Sequence, residues 1–457
     1  MSTTSPATCP ATGAANTVQT YFDELISWAT GQLHGDEVLT ASLSAEDSDF
    51  VRFNHGAVRQ AGSVRQREIS IDLIEGTTHA EGSIQLAQDP ELDRARVART
   101  LTDLRETRSL LPPDPYLSYA TDARSTERVN PGQPPEADWA MDQIQSAAAG
   151  KDLVGIYAAG NTYAGFANSL GQRNWFQSST FNFDWSFYLQ ADKAVKNLYA
   201  GREWDADAFR AKVDWSSQQL TALGRSPIEL KPGLYRTYLA PAALSELIDM
   251  MSWGGFSLRA HRTKQTPLLK MVTEGAALHP GVRISENTAG GVAPNFQQHG
   301  FGRPDEVVLV ESGVYRDCLV SPRSGMEYDV ATNGASPWEA PESVAMAPGT
   351  LAHSDVLGAL GTGLYVGNLW YLNFSDRAAC RTTGMTRFAT FWVENGEIVA
   401  PANVLRFDDT AYNLLGANLV GLTDEAEVML DPGTYRGRSS GSYRLPGALI
   451  DDMRFTL

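Results

Sequence analysis

The chain reads as an α+β protein, with an N-terminal α/β domain of mixed sheet and helices and a C-terminal β-rich domain of hairpins. Three patterns predict this. Val18, Tyr21, Phe22, Leu25, Trp28 and Ala29 recur at three- and four-residue spacing, giving a helix one apolar face. Within 67–75, Ile69, Ile71 and Leu73 alternate with Glu68, Ser70 and Asp72, the period of a half-buried strand. Near the C-terminal end, Phe391-Trp392-Val393 and Glu397-Ile398-Val399 flank Glu394-Asn395-Gly396. Asn-Gly is a strong hairpin signal, because a type I′ turn needs positive φ at both central residues.

In chain order, Met1–Thr17 is rich in Ser, Thr, Ala and Pro, with neither a basic start nor an apolar stretch, and is expected to be a disordered leader. A helix follows over 18–32, then strands at 67–75 and 79–86 joined at Glu75-Gly76. Val97, Leu101 and Leu104 return to helical spacing over 93–111, and Pro112-Pro113 ends that helix. Residues 112–137 read as an exposed connection, 138–149 as a short helix and 152–158 as a strand. A hairpin is expected over 162–190, turning at 168–171. Its second half carries Trp175, Phe176, Phe181, Phe183, Trp185, Phe187 and Tyr188. Such a stripe suits the core of a sheet better than a base-stacking platform. Residues 204–223 are helical.

The Gly-, Ser- and Pro-containing stretch 224–233 marks the boundary, giving a leader at 1–17, an N-terminal domain at 18–223 and a C-terminal domain at 224–457. Beyond it lie a strand at 234–239 and a helix at 241–251 opened by Pro241. Two strands meet at Ser312-Gly313, and the Asn-Gly hairpin comes later.

Net charge is −17, from 37 basic and 54 acidic residues, and no Lys/Arg run appears. A nucleic-acid partner is not expected, because phosphates need a basic footprint. No apolar run approaches the roughly 20 residues that cross a bilayer. The three cysteines, Cys9, Cys318 and Cys380, offer no CxxC spacing, so a reducing cytoplasm is the expected compartment.

The hydrolytic signatures are missing. There is no GxSxG elbow, no GxxxxGK[ST] loop and no GxGxxG fingerprint, since Gly361-Thr362-Gly363 lacks the third glycine. The seven histidines (34, 55, 79, 261, 279, 299 and 353) never stand within five residues of one another, so neither HExxH nor HExxxH is present. Taken singly, His261 lies in a basic stretch with Arg259, Arg262 and Lys264 that reads as a solvated loop rather than a carboxylate site. His299 near Asp305 and Glu306 reads as a turn rather than a metal cluster. Cys380 has no neighbouring histidine and reads as a buried thiol.

Several segments in order resemble the TldD/TldE (PmbA, modulator of gyrase) family. They are Val51-Arg52-Phe53-Asn54 before Arg67-Glu68-Ile69-Ser70-Ile71; Asp305-Glu306-Val307, Glu311-Ser312-Gly313-Val314 and Ala331-Thr332-Asn333-Gly334; and Thr383-Gly384 before Glu394-Asn395-Gly396-Glu397-Ile398-Val399 and Pro401. The resemblance implies a heterodimer of related subunits. The TldD-type subunit holds zinc through an HExxxH helix and a later cysteine, with the Glu as general base. Here the matching helix, 241–251, offers Glu246 and Asp249 but no histidine, and the cysteine's region, 433–441, reads Gly-Thr-Tyr-Arg-Gly-Arg-Ser-Ser-Gly. The resemblance is therefore to TldE: no cofactor in this chain, zinc in a TldD-like partner, and an unfolded peptide as substrate.

His261, His299, Arg377, Cys380, Arg387 and Arg436 are the candidates for cleft- or partner-facing positions, with no catalytic or metal residue expected. Strand edges at 388–392 or 307–310 are expected to hold a peptide by β-addition. Two rival readings are a stand-alone peptidase using Cys380, and a peptide-binding or chaperone-like module.

Overall fold

The computed structural model describes residues 11–191 and 193–456. The N-terminal half runs α1 (Ala11–Thr30), β1 (Val38–Asn54), β2 (Ala57–Glu75), β3 (Thr78–Gln85), α2 (Pro90–Arg108), β4 (Thr126–Asn130), α3 (Ala137–Ala147), β5 (Asp152–Asn168), β6 (Arg173–Gln190), β7 (Lys193–Gly201) and α4 (Ala206–Leu223). The first helix thus takes in residues 11–17 of the expected leader; the rest of that segment, with Cys9, lies outside the described residues. The strands at 152–158 and 162–190 are in fact two long strands, β5 and β6, and the connection 112–137 contains β4, which pairs in parallel with β6.

Strand order is β3-β2-β1-β5-β6-β4, with β7 also on β6. Period-two alternation gives this sheet two different faces. On β6 the odd positions Trp175, Phe181, Phe183, Trp185 and Phe187 are buried and aromatic. They share a face with Leu39, Ala41, Leu43, Ile69, Ile71 and Leu73. All four helices cover it: α1 and α2 over one half, α3 and α4 over the other. Trp185 stacks on Phe183 at 4.7 Å, confirming the aromatic stripe as sheet core. The even positions carry Asn174, Ser178, Thr180, Asn182 and Asp184, and this polar face turns to the C-terminal half.

Asp89 and Asp205 cap α2 and α4, each accepting two backbone N–H groups. Glu37, between α1 and β1, accepts from Arg105 and Arg108 of α2 and from the His34 N–H.

The C-terminal half runs β8 (Gly233–Leu239), α5 (Pro241–Ser252), α6 (Leu258–Arg262), α7 (Leu269–Glu274), β9 (Ile284–Glu286), β10 (Val307–Glu311), β11 (Val314–Tyr315), α8 (Pro322–Tyr328), β12 (Ser343–Met346), α9 (Val356–Leu360), β13 (Gly363–Asp376), β14 (Arg381–Glu394), β15 (Glu397–Pro401), β16 (Arg406–Thr410), β17 (Leu419–Leu430) and β18 (Ser442–Phe455). Strands β8, β13, β14, β16 and β18 close on themselves, because β18 pairs with both β16 and β8. Helix α5 packs on β13 and β18, burying Leu244, Leu247, Ile248 and Met251. Asn395 and Gly396 both have positive φ at the β14–β15 turn, as the Asn-Gly pair predicts.

Closure changes one expectation. Residues 388–392 are no edge: β14 pairs with β13 on one side and with β15 and β16 on the other. Strand β10 lies between β9 and β11.

Loss of water raises the Glu37 carboxyl, but Arg105, the His34 N–H and Arg108 outweigh it and hold its pKa at about 2. The folded value lies below the ordinary 4.5, so this contribution is complete above pH 4.5 and disappears as pH falls towards 2. Urea denaturation followed through that range is expected to lose stability progressively, and Glu37→Gln to flatten the loss.

Candidate functional site

Helix α5 begins after β8 with Pro241, whose missing N–H is harmless in a first turn. Its apolar stripe faces the barrel, which leaves Glu246 and Asp249, three residues apart, on the side turned away from it. Tyr443, near the start of β18, donates to Asp249 at 2.8 Å. Burial first, and then the Asp249 charge beside it, raise the Tyr443 hydroxyl, with Asp431 and Glu246 contributing further. Partial desolvation, then Asp249, raise the Glu246 carboxyl, and Lys196 of β7 opposes them. The same lysine reaches Asp184 of β6 at 3.3 Å. Burial raises the Asp184 carboxyl against that ammonium. The polar face of the N-terminal sheet and the exposed side of α5 thus meet in a cluster of carboxylates, one tyrosine and one lysine.

The segment 431–441 lines a small cleft on the same polar face, and Glu246, Asp249, Lys196 and Asp184 are not part of its lining. It leaves β17, crosses the polar face beside Ile156, Ala158 and Asn182, and returns to β18. Arg438 fixes it there: its guanidinium donates to the Gly160 carbonyl at 3.2 Å and to the Thr180 carbonyl and hydroxyl at 3.1 and 2.6 Å. Its own N–H donates to Glu46. Burial lowers the Arg438 pKa to about 10, still well above neutrality. Gly160 lets β5 lie close against β1 at this point. Its φ is +137°, and a Cβ there would lie 2.1 Å from the Asp47 carbonyl oxygen.

The α5 positions supply carboxylates, the segment 431–441 supplies Asp431, Arg438 and serines, and no imidazole or thiolate stands among them. Among the described residues, no three His, Cys, Asp or Glu side chains are placed to hold a metal ion.

The six sequence candidates do not converge. His261, on α6, is held by the Gly255 carbonyl at 2.6 Å and packs edge-on against Tyr315; burial lowers its pKa. It is a half-buried structural histidine and not part of a solvated loop. His299 stands apart from Glu306, which pairs with Arg283. Its peptide carbonyl accepts from Ala120, and burial lowers its pKa, opposed by Asp72 across the seam between the halves. Arg377 donates to the Gln265 and Trp253 carbonyls and tethers a loop. Arg387 lies over Trp370 at 4.1 Å. Arg436 is exposed at the rim of the cleft, with its carbonyl accepting from Gln66. Cys380 is wholly buried, and burial pushes its thiol up to about 12. A thiol so buried and raised is a poor nucleophile.

Sequence reasoning missed Lys196, Asp184, Arg438 and Tyr443. They lie on four separate segments, and no spacing links them. Arg438→Ala is expected to lower stability by about 2–3 kcal/mol in urea denaturation, since it strips hydrogen bonds from buried carbonyls of the polar face. In the native protein Cys380 is expected to resist iodoacetamide near neutral pH and to react on unfolding, as read by peptide mass mapping.

No curated protein matches the chain in sequence. TldE from Thermococcus kodakarensis superposes with a TM-score of 0.80 at 15% identity, over 96% of this chain and 100% of that one. A putative modulator of DNA gyrase from Thermotoga maritima superposes at 0.72 and 13% identity, over 96% of this chain and 100% of that one. A second putative modulator of DNA gyrase, from Bacteroides thetaiotaomicron, gives 0.72 and 14%, over 95% of this chain and 98% of that one. At such identities the likeness is one of fold. Residues 232–457 match the family model described as the PmbA/TldA metallopeptidase C-terminal domain. The chain belongs, through that half and its shared fold, to the TldD/TldE (PmbA) family.

Proposed function

We propose that this chain is the zinc-free subunit of a heterodimeric TldD/TldE-type metallopeptidase, which cleaves or matures unfolded peptides. In this reading it shapes the substrate cleft of an HExxxH-bearing partner. The observation that supports it is the donor set of two regions: Glu246 and Asp249 on α5, and Asp431 and Arg438 on the segment 431–441. A catalytic zinc takes three protein ligands, mostly imidazole and thiolate, and keeps one position open. Carboxylates already shared with a tyrosine hydroxyl and a lysine ammonium do not meet that need.

What these residues do instead is hold shape and charge. Tyr443 keeps its proton on Asp249, and Lys196 neutralises Asp184. Arg438 seals the segment 431–441 onto the polar face of the sheet, giving the cleft a fixed wall that excludes water. Zinc in the partner supplies the Lewis acid. The complex works in the cytoplasm, where Cys318 and Cys380, both free and buried, stay reduced.

The test is reconstitution. Co-purification with an HExxxH-bearing relative, and chelator-sensitive peptide cleavage by the mixture but by neither chain alone, are the expected results. Cleavage by this chain alone that survives a chelator would end the reading. So would one tightly held zinc per lone subunit.

A further inference from the structure

The segment Ala57–Gln66 of β2 is a strand with one empty side. Its inner side pairs with β1 through residues 46–54. On its outer side β3 pairs only from Glu68 onward, and Leu86 N–H closes that ladder on the Arg67 carbonyl. Among the described residues no strand continues the line of β3 past Arg67. Ala57 to Arg65 are all exposed. An unpaired edge presents a row of free N–H and C=O groups, the feature that proteins usually shorten, bulge or cover. The one irregularity of the β1–β2 ladder falls at Arg59, left unpaired between Val58 opposite Phe53 and Gln60 opposite Arg52, so the ladder is regular from Gln60 to Gln66.

The charges on this edge are selective. Arg59 sits at the bulge, Arg65 lies on the regular stretch opposite Asp47, and Arg52 of β1 lies opposite Gln60. Among the described residues none of these three guanidinium groups has an ion pair or hydrogen bond. The nearest carboxylates on β1 are engaged elsewhere: Asp47 by Arg67 in a two-pronged bridge, and Asp49 by the Ser63 hydroxyl. Arg52, Arg59 and Arg65 give the exposed end of this hairpin local positive charge on a chain of net charge −17, which suits an acidic partner.

We infer that Ala57–Gln66 is a β-addition site for an extended, acidic polypeptide segment. Main-chain hydrogen bonds hold the segment, and Arg59 and Arg65 select its acidic side chains. The site spans about 33 Å at strand rise. Its Gln66 end contacts the cleft wall, since the Gln66 amide donates to Glu46 and to the Arg436 carbonyl, both at 2.6 Å. The inference rests on the paired-subunit reading in taking the segment to be peptide substrate fed towards the cleft.

The experiment uses the full chain and a fluorescent, unstructured peptide of alternating Glu and Val, followed by anisotropy and by amide hydrogen exchange. Expected are saturable binding with new protection at 57–66, and binding about tenfold weaker for Arg59→Glu/Arg65→Glu, whose exposed positions leave the fold intact. Binding is also expected to be lost when alternate residues of the peptide are N-methylated. Protection elsewhere, equal binding of the methylated peptide, or indifference to the charge reversal would overturn the site. Protection of 57–66 by self-association without peptide, or by a TldD-like partner alone, would assign the edge to subunit contact and overturn it equally. No cleavage is involved, so a failure here leaves the reconstitution result standing, and a failed reconstitution leaves this binding measurable.

Discussion

The two-faced N-terminal sheet is the constraint on which the rest of the molecule depends. One face of β6 is aromatic and buries itself under four helices, which alone makes a stable layer. The other face carries Asn174, Thr180, Asn182 and Asp184, and it is covered too, by the C-terminal half. Covering polar groups obliges each donor to find an acceptor, because an unpaired buried group costs about as much as a lost hydrogen bond. The seam is accordingly built from side chain to main chain. Gln172 donates to the Gly300 carbonyl, Arg202 to Gly291, and Arg128 to Thr288 and Ala289. Gly300 has φ +86°, and a Cβ there would lie 2.3 Å from the Phe166 ring, so the backbone must come this close bare.

The C-terminal half answers with rigidity. Closing β8, β13, β14, β16 and β18 into a ring removes their free edges, and the surrounding loops are pinned by buried carboxylates. Glu339 accepts from the Ser257 and Ser321 hydroxyls and from the Arg259 and Ser321 N–H groups, joining the start of α6 to the start of α8. Glu286 accepts from Arg303 and from the Glu342 and Ser343 N–H groups. Burial of such groups is tolerable only with their hydrogen-bonding capacity filled, and in return they fix loop geometry closely. That stiffness holds α5 and the segment 431–441 in register with the polar face, and so defines the cleft.

The cleft and the cluster on the same polar face hold charge without a metal-ligand set. Tyr443, Lys196 and Arg438 each commit to a carboxylate or a carbonyl, which fixes these groups in place. Outside them, Arg52, Arg59 and Arg65 of the first hairpin carry exposed positive charge beside an unpaired edge.

By itself the sequence determined the elements and their class. Apolar spacing in α1 and α2, alternation in β2 and β6, and the Asn-Gly turn between β14 and β15 are local patterns, and local backbone geometry turns each into a helix, a strand or a hairpin. It also showed that α5 and residues 433–441 hold no imidazole or thiolate, since composition needs no coordinates. Tertiary structure alone decided what those positions meet. Lys196, Asp184, Tyr443 and Arg438 converge because a strand's neighbour is set by ladder pairing over hundreds of residues, which leaves no spacing to read. The same pairing buried Cys380, hid the edge at 388–392 and left Ala57–Gln66 open. Whether a strand has a free side depends on every other strand in its sheet, and no single segment can carry that information.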